Sequence, residues 1–201
     1  MNDNKVSHHQ TLSDANDSVL VVIDVQQSFL DKLSPEQVSP LTNRIRWIVQ
    51  MAGKMDIPLV VTAEDIPESG STVSQVAEVF PVGTREHNKM SFGLAGDPAI
   101  LSAVNATGRK TAVLVGLETD VCVMQSALGL LGHGYRVVVL SDASASPGPC
   151  HEQGLRRLEN AGVVISTVKG TFYEWVRTLD FADEHLEAEI WTGERPEGIN
   201  L

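Results

Sequence analysis

Cysteine is scarce in this chain: Cys122 and Cys150 are the two present among 201 residues, and they form no C-x-x-C pair. That scarcity argues against a disulfide framework and a structural zinc site, and it makes a reducing cytoplasm the expected location. Basic charge is also short. Lys and Arg total 15 against 26 Asp and Glu, a formal net charge of −11 with no basic cluster, so no nucleic acid and no membrane surface is expected as a partner. The longest apolar runs, such as residues 19–23 and the V-V-V-L run within 136–140, are strand-sized and far short of the roughly 20 residues that span a bilayer. The polar start, ending T-L-S-D-A-N-D-S, lacks the apolar core of a signal peptide and reads as a flexible tail over residues 1–17 of a soluble protein. No G-x-G-x-x-G follows the first strand, where D-V-Q-Q-S-F stands, and no G-x-x-x-x-G-K-[ST] occurs, so dinucleotide binding and phosphate cradling lack their residues.

What is present is a core. A content of 42% hydrophobic and 20% charged residues fits one globular domain. Residues 18–24 (S-V-L-V-V-I-D) form an apolar run ending in an acid, the pattern of a parallel strand buried on both faces. A helix is expected between Pro40 and Gly53, with Leu41, Ile45, Ile48 and Ala52 on one stripe, then a buried strand at 58–63. Residues 64–88 read as a long irregular connection with one short helix around 73–79. Beyond it come a helix over 97–108, a strand at 111–115, a helix over 120–131, a strand at 135–140, a helix near 151–161, a strand at 163–167 and a last helical stretch around Tyr173. Such alternation implies an α/β fold, with parallel strands and helices on both faces of one sheet.

The stretch 113–124, V-L-V-G-L-E-T-D-V-C-V-M, reads as a buried strand, a tight turn and a helix whose first turn carries Cys122. Free N–H groups and the helix dipole favour thiolate there, so titration below the free value of about 8.5 is expected, and the same N–H groups can hold an oxyanion. Ligands in open parallel sheets bind beyond the carboxyl ends of the strands, so Asp24 and Cys122 should face one crevice. Asp24 can serve as base, and Lys89, in R-E-H-N-K-M-S-F-G, can supply positive charge. Each has a plainer reading: a lone cysteine is commonly inert core, a strand-end acid commonly caps a turn, and a loop lysine is commonly solvated. Cys150 competes as nucleophile, since P-G-P-C-H-E opens a helix beside His151, but neighbours on a helix diverge by about 100 degrees. His151 reads as a cap or a pocket residue.

V-V-I-D-V-Q-Q-S-F, N-K-M-S-F-G and G-L-E-T-D-V-C-V together resemble the three signature regions of the isochorismatase-like cysteine hydrolases, across residues 19–171. The resemblance implies a Rossmann-like three-layer α/β/α fold on a mostly parallel sheet of about six strands, a hydrolase domain over 18–180, and a catalytic triad of Asp24, Lys89 and Cys122. It also implies a cis bond between Leu117 and Glu118, and an oxyanion hole from the amides of Glu118 and Cys122. Substrate-pocket candidates are Gln26, Phe29, Glu64 and Thr119, with Gln26 able to hydrogen-bond near Asp24 and core packing the rival role for Phe29. The nicotinamidase branch carries histidines after the second strand, where this chain has T-A-E-D-I-P-E-S-G; no metal and no cofactor is expected. Glu64 reads either as an ordinary surface acid or as a rim residue selecting a cation or hydrogen-bond donor. The implied activity is cleavage of a small-molecule C–N (amide) bond through a Cys thioester. The alternatives are an isochorismatase-type vinyl ether hydrolase and a noncatalytic binding or assembly subunit. Family members are commonly dimers or larger, so a homo-oligomer is expected, with Trp175, in T-F-Y-E-W-V-R, and Trp191, in the acidic 181–201 extension, as interface candidates and core burial as their rival role.

Overall fold

The computed structural model describes residues 12–181, 195–197 and 199. Six strands form one all-parallel sheet: β1 (Ser18–Ile23), β2 (Leu59–Glu64), β3 (Glu86–Lys89), β4 (Thr111–Leu117), β5 (Arg136–Ala145) and β6 (Val164–Ser166), in the order β3-β2-β1-β4-β5-β6. The chain winds outward from β1 to β3, then returns to β1's other side for β4. That reversal opens a crevice at the carboxyl ends of β1 and β4.

Every residue of β1 and β4 is buried because each strand feeds two cores. Leu20, Val22, Val113 and Val115 face one layer, with Trp47 and Ile48 of α2 (Pro35–Lys54) and Phe172 and Trp175 of α8 (Val168–Val176). Val19, Val21, Ala112 and Leu114 face the other, with Ile100 of α5 (Pro98–Ala106), Leu130 of α6 (Met124–Gly132) and Leu158 of α7 (Cys150–Asn160). The remaining helices, α1 (Gln27–Leu30), α3 (Ile66–Ser69) and α4 (Ser74–Ala77), are single turns in the connections.

The long helix starts earlier than Pro40. Pro35 stands at its first turn, the Ser34 N–H donates to the Gln37 side chain at 3.1 Å, and Pro40 is carried inside. The irregular stretch contains β3, whose E-H-N-K offers no apolar run because the strand lies at the sheet edge. Within residues 12–17, Ala15–Asp17 forms a 3-10 turn capped by Asp14, and the Ser13 N–H donates to Glu174 Oε2 at 2.6 Å, so packing begins ahead of Ser18. Trp175 is core rather than interface, its Nε1 donating to Ser18 Oγ at 3.1 Å; Trp191 lies outside the described residues. No helix among the described residues is long and apolar enough to cross a membrane.

Candidate active site

Four side chains converge where β1, β2 and β3 end and β4 turns. Asp24 follows β1 with φ 50°, a left-handed conformation that Asp tolerates better than most residues, and it is fully buried. Its N–H donates to the Thr62 carbonyl at 2.9 Å and its Oδ1 accepts from Thr62 Oγ1 at 3.0 Å. Lys89 ends β3, also fully buried, and its Nζ lies 2.9 Å from Asp24 Oδ2 while donating to the Ser91 carbonyl at 2.7 Å. Glu64 ends β2, its Oε2 lying 3.6 Å from Lys89 Nζ. Cys122, 1% exposed, donates its thiol hydrogen to the same Glu64 Oε2 at 3.2 Å.

Close backbone approach makes the convergence possible. Gly116 pairs with Ile23 at φ 124°, where an added Cβ would stand 1.9 Å from the Ile23 carbonyl oxygen, and β4's register against β5 shifts between Leu114 and Gly116. The Leu117–Glu118 peptide bond is cis. The chain then enters a π-helical turn, Thr119–Val123, before α6 begins, so Cys122 sits in that turn rather than in the first turn of an α-helix. The Glu118 carbonyl accepts from the Val121 and Val123 amides, both at 3.1 Å.

Electrostatics depart from the sequence expectation at the thiol. Burial pushes the Cys122 thiol well above its ordinary range; the Asp24 charge and the Glu64 contact push the same way, and Lys89 opposes them. Helix-terminus placement predicted a lowered value, but loss of water beside two carboxylates outweighs it. Burial also raises Asp24, against the charge of Lys89 and hydrogen bonds from Lys89, Cys122 and Thr62. Burial alone would depress Lys89, yet Asp24 above all, then Cys122 and Glu64, hold it above the ordinary lysine range. Asp24, Glu64 and Cys122 each place a ligand atom within 4.8 Å of the others, a spacing a metal ion could use. Lys89 already supplies positive charge between the two carboxylates, at 2.9 and 3.6 Å.

The pocket candidates divide. Gln26 is fully buried; its N–H donates to the Asp24 carbonyl at 2.9 Å, while its side chain reaches β2 and the connection after it, Nε2 donating to the carbonyls of Glu64 at 2.8 Å and Gly70 at 2.6 Å and Oε1 accepting the Glu64 N–H at 2.8 Å. Phe29 belongs to the core, with Lys32 Nζ 4.5 Å from its ring centroid, and Lys32 pairs with Glu118 Oε1 at 3.2 Å. Thr119 is fully buried, its hydroxyl 2.9 Å from His151 Nδ1. Burial holds His151 below the ordinary histidine range, despite opposing Glu152 and Asp120. Cys150 is exposed at the start of α7. Thr62 and Ser91 escaped the sequence reading. Period-2 alternation places residues 62 and 64 on one face of a strand, the signal that could have found Thr62.

A three-layer fold with a cysteine-centred cluster at its topological switch point defines the class of protein. The chain belongs to the isochorismatase family of hydrolases, whose Isochorismatase domain matches residues 18–170. The secreted isochorismatase effector Isc1 of Phytophthora sojae is 32% identical over 161 residues, covering 78% of this chain and 76% of its own. Among solved structures, YcaC of Pseudomonas aeruginosa, with hexane-2,5-diol and covalent acrylamide, is similar at a TM-score of 0.81 and 24% identity, covering 90% of this chain and 91% of that one. The octameric YcaC hydrolase of Escherichia coli gives 0.75 and 22%, covering 87% and 91%.

Proposed function

We propose that this chain is a cysteine hydrolase that cleaves a C–N (amide) bond of a small molecule through a thioester on Cys122. The observation that carries the reading is the buried cluster itself, with Lys89 2.9 Å from Asp24 and the Cys122 sulfur within 4.8 Å of the Asp24 carboxylate. As the sulfur attacks the carbonyl carbon, Asp24 takes the thiol proton and the carbonyl electrons move onto oxygen. The amides of Glu118 and Cys122 hold that oxyanion. Asp24 then returns the proton to the leaving nitrogen, and water, activated by the same carboxylate, hydrolyses the thioester. Lys89 keeps Asp24 oriented, and no step needs a cofactor. The likeness to the octameric Escherichia coli protein supports a homo-oligomeric form.

The test is an amide library screened for ammonia or amine release, with Cys122→Ala beside the wild type and an acyl adduct sought on Cys122 by mass spectrometry. Loss of turnover in the variant with a matching adduct supports the mechanism. Amide turnover surviving Cys122→Ala would overturn the thioester mechanism; no amine release from any amide, with a vinyl ether cleaved equally well by wild type and Cys122→Ala, would instead mark a vinyl ether hydrolase, and slow, unselective alkylation of Cys122 would mark a noncatalytic subunit.

A further inference from the structure

The thiol in this structure is engaged. Its sulfur lies 3.2 Å from Glu64 Oε2 as a hydrogen-bond donor, while Asp24, also within hydrogen-bonding reach of the thiol, is held on one oxygen by Thr62 and on the other by Lys89. Glu64 is also the only carboxylate of the cluster that meets solvent, with a quarter of its side chain exposed against none for Asp24. An incoming molecule therefore meets Glu64 before it meets the sulfur. With both carboxylates ionised, Lys89 balances one of them, and a negative charge is left over at the mouth. The chain as a whole carries −11, which favours approach of cations.

We infer that Glu64 is a latch on the Cys122 thiol that a cationic substrate opens, so the site takes small molecules with a positively charged nitrogen close to the carbonyl under attack. The inference rests on Cys122 being the nucleophile. The substrate nitrogen pairs with Glu64 Oε2, replacing the S–H contact. The freed thiol gives its proton to Asp24 as the S–C bond forms and the carbonyl electrons move onto oxygen, so atoms and charge balance. Neutralising Glu64 also removes one of the influences that hold the thiol protonated. Glu64 is positioned for this by its main chain, fixed on both sides by Gln26. A Glu64→Gln side chain keeps the shape and loses the charge.

Three thiol probes of different charge test it: 2-bromoethylamine, iodoacetamide and iodoacetate, each read by peptide mass spectrometry on wild type and Glu64→Gln. Exposed Cys150 serves as internal reference in the same molecule. In the wild type, Cys122 labelling relative to Cys150 should favour the cation over the anion by about tenfold or more, the scale of field-driven enrichment in a charged cleft. In Glu64→Gln that preference should collapse, and iodoacetamide labelling of Cys122 should become faster because the carboxylate charge that helps keep the thiol protonated is gone, leaving a weaker, neutral acceptor. An unchanged charge preference overturns the inference, and so does slower iodoacetamide labelling, which would make Glu64 the proton acceptor. If all three probes label Cys150 and none labels Cys122 in either protein, the nucleophile reading fails, a result distinct from loss of the charge preference alone.

Discussion

Lys89 Nζ lies 2.9 Å from Asp24 Oδ2, and neither side chain has any exposed surface. Removing one partner of a buried pair leaves an uncompensated charge, so Lys89→Met should cost about 3–5 kcal/mol near pH 8. Burial already raises Asp24 above the usual carboxylate range, and Lys89 is what restrains it. Without Lys89 the folded state binds the Asp24 proton more tightly than the unfolded chain does. Its contribution is then gained as pH falls through the folded value and lost above it. Urea unfolding at pH 5 and pH 8 should show the variant's deficit shrinking at the lower pH; a deficit that grows there refutes the account.

Gln26→Leu should destabilise through the backbone of its neighbours. It strips partners from the Glu64 N–H and from the carbonyls of Glu64 and Gly70. A buried group left unpaired costs about 1–3 kcal/mol, but Gly70 is exposed and its carbonyl can turn to water, so a loss of about 2 kcal/mol in a urea titration is expected. A change under about 0.5 kcal/mol would show that these bonds are replaced by water.

Gly116→Ala should be severe, because the new methyl has no room beside the Ile23 carbonyl and the φ of 124° is foreign to an L side chain. About 3 kcal/mol or more is expected from overpacking and strain together. Gly108→Ala is the control: φ is 71° there and nothing stands within 4 Å, so only the conformational cost of about 1 kcal/mol applies. Comparable thermal shifts for the two variants would contradict this.

His151 is held below the ordinary histidine range by burial, so it favours the native state most while neutral. That contribution is present above the unfolded value and is lost as pH falls through the folded one. His151→Gln should therefore lose less stability than the wild type between pH 7 and pH 5. Parallel pH curves for the two proteins would exclude His151 as a source of acid sensitivity.

Legibility in the sequence followed burial. β1 and β4 are buried on both faces and announce themselves as unbroken apolar runs, and the order of helices and strands between them follows from turn residues. β3 was invisible because an edge strand of four residues, E-H-N-K, carries no such run. Asp24, Lys89 and Cys122 were legible through the signature segments around them. Glu64 was legible only as a rim acid, because its place beside the sulfur depends on how β2 pairs with β1, which residue order alone does not state. The direction of the Cys122 titration was misread for a related reason: a turn's position along the chain says nothing of the carboxylates that other strands deliver to it.

The connection between β2 and β3, residues 65–85, carries none of the four converging side chains. Gln26 ties it down at Gly70, and the Val73 N–H reaches the Val25 carbonyl at 2.9 Å. Between those anchors and Glu86 the chain is pinned by Val76, fully buried in the core with Val79 and Phe80 packed against it, and residues 81–85 carry none of that core. The fold thus keeps the reacting groups on strand ends and in the turn after β4, apart from the connection between β2 and β3. Grafting that segment from a relative, with the buried Val76 position kept apolar, would leave all four converging side chains where they stand.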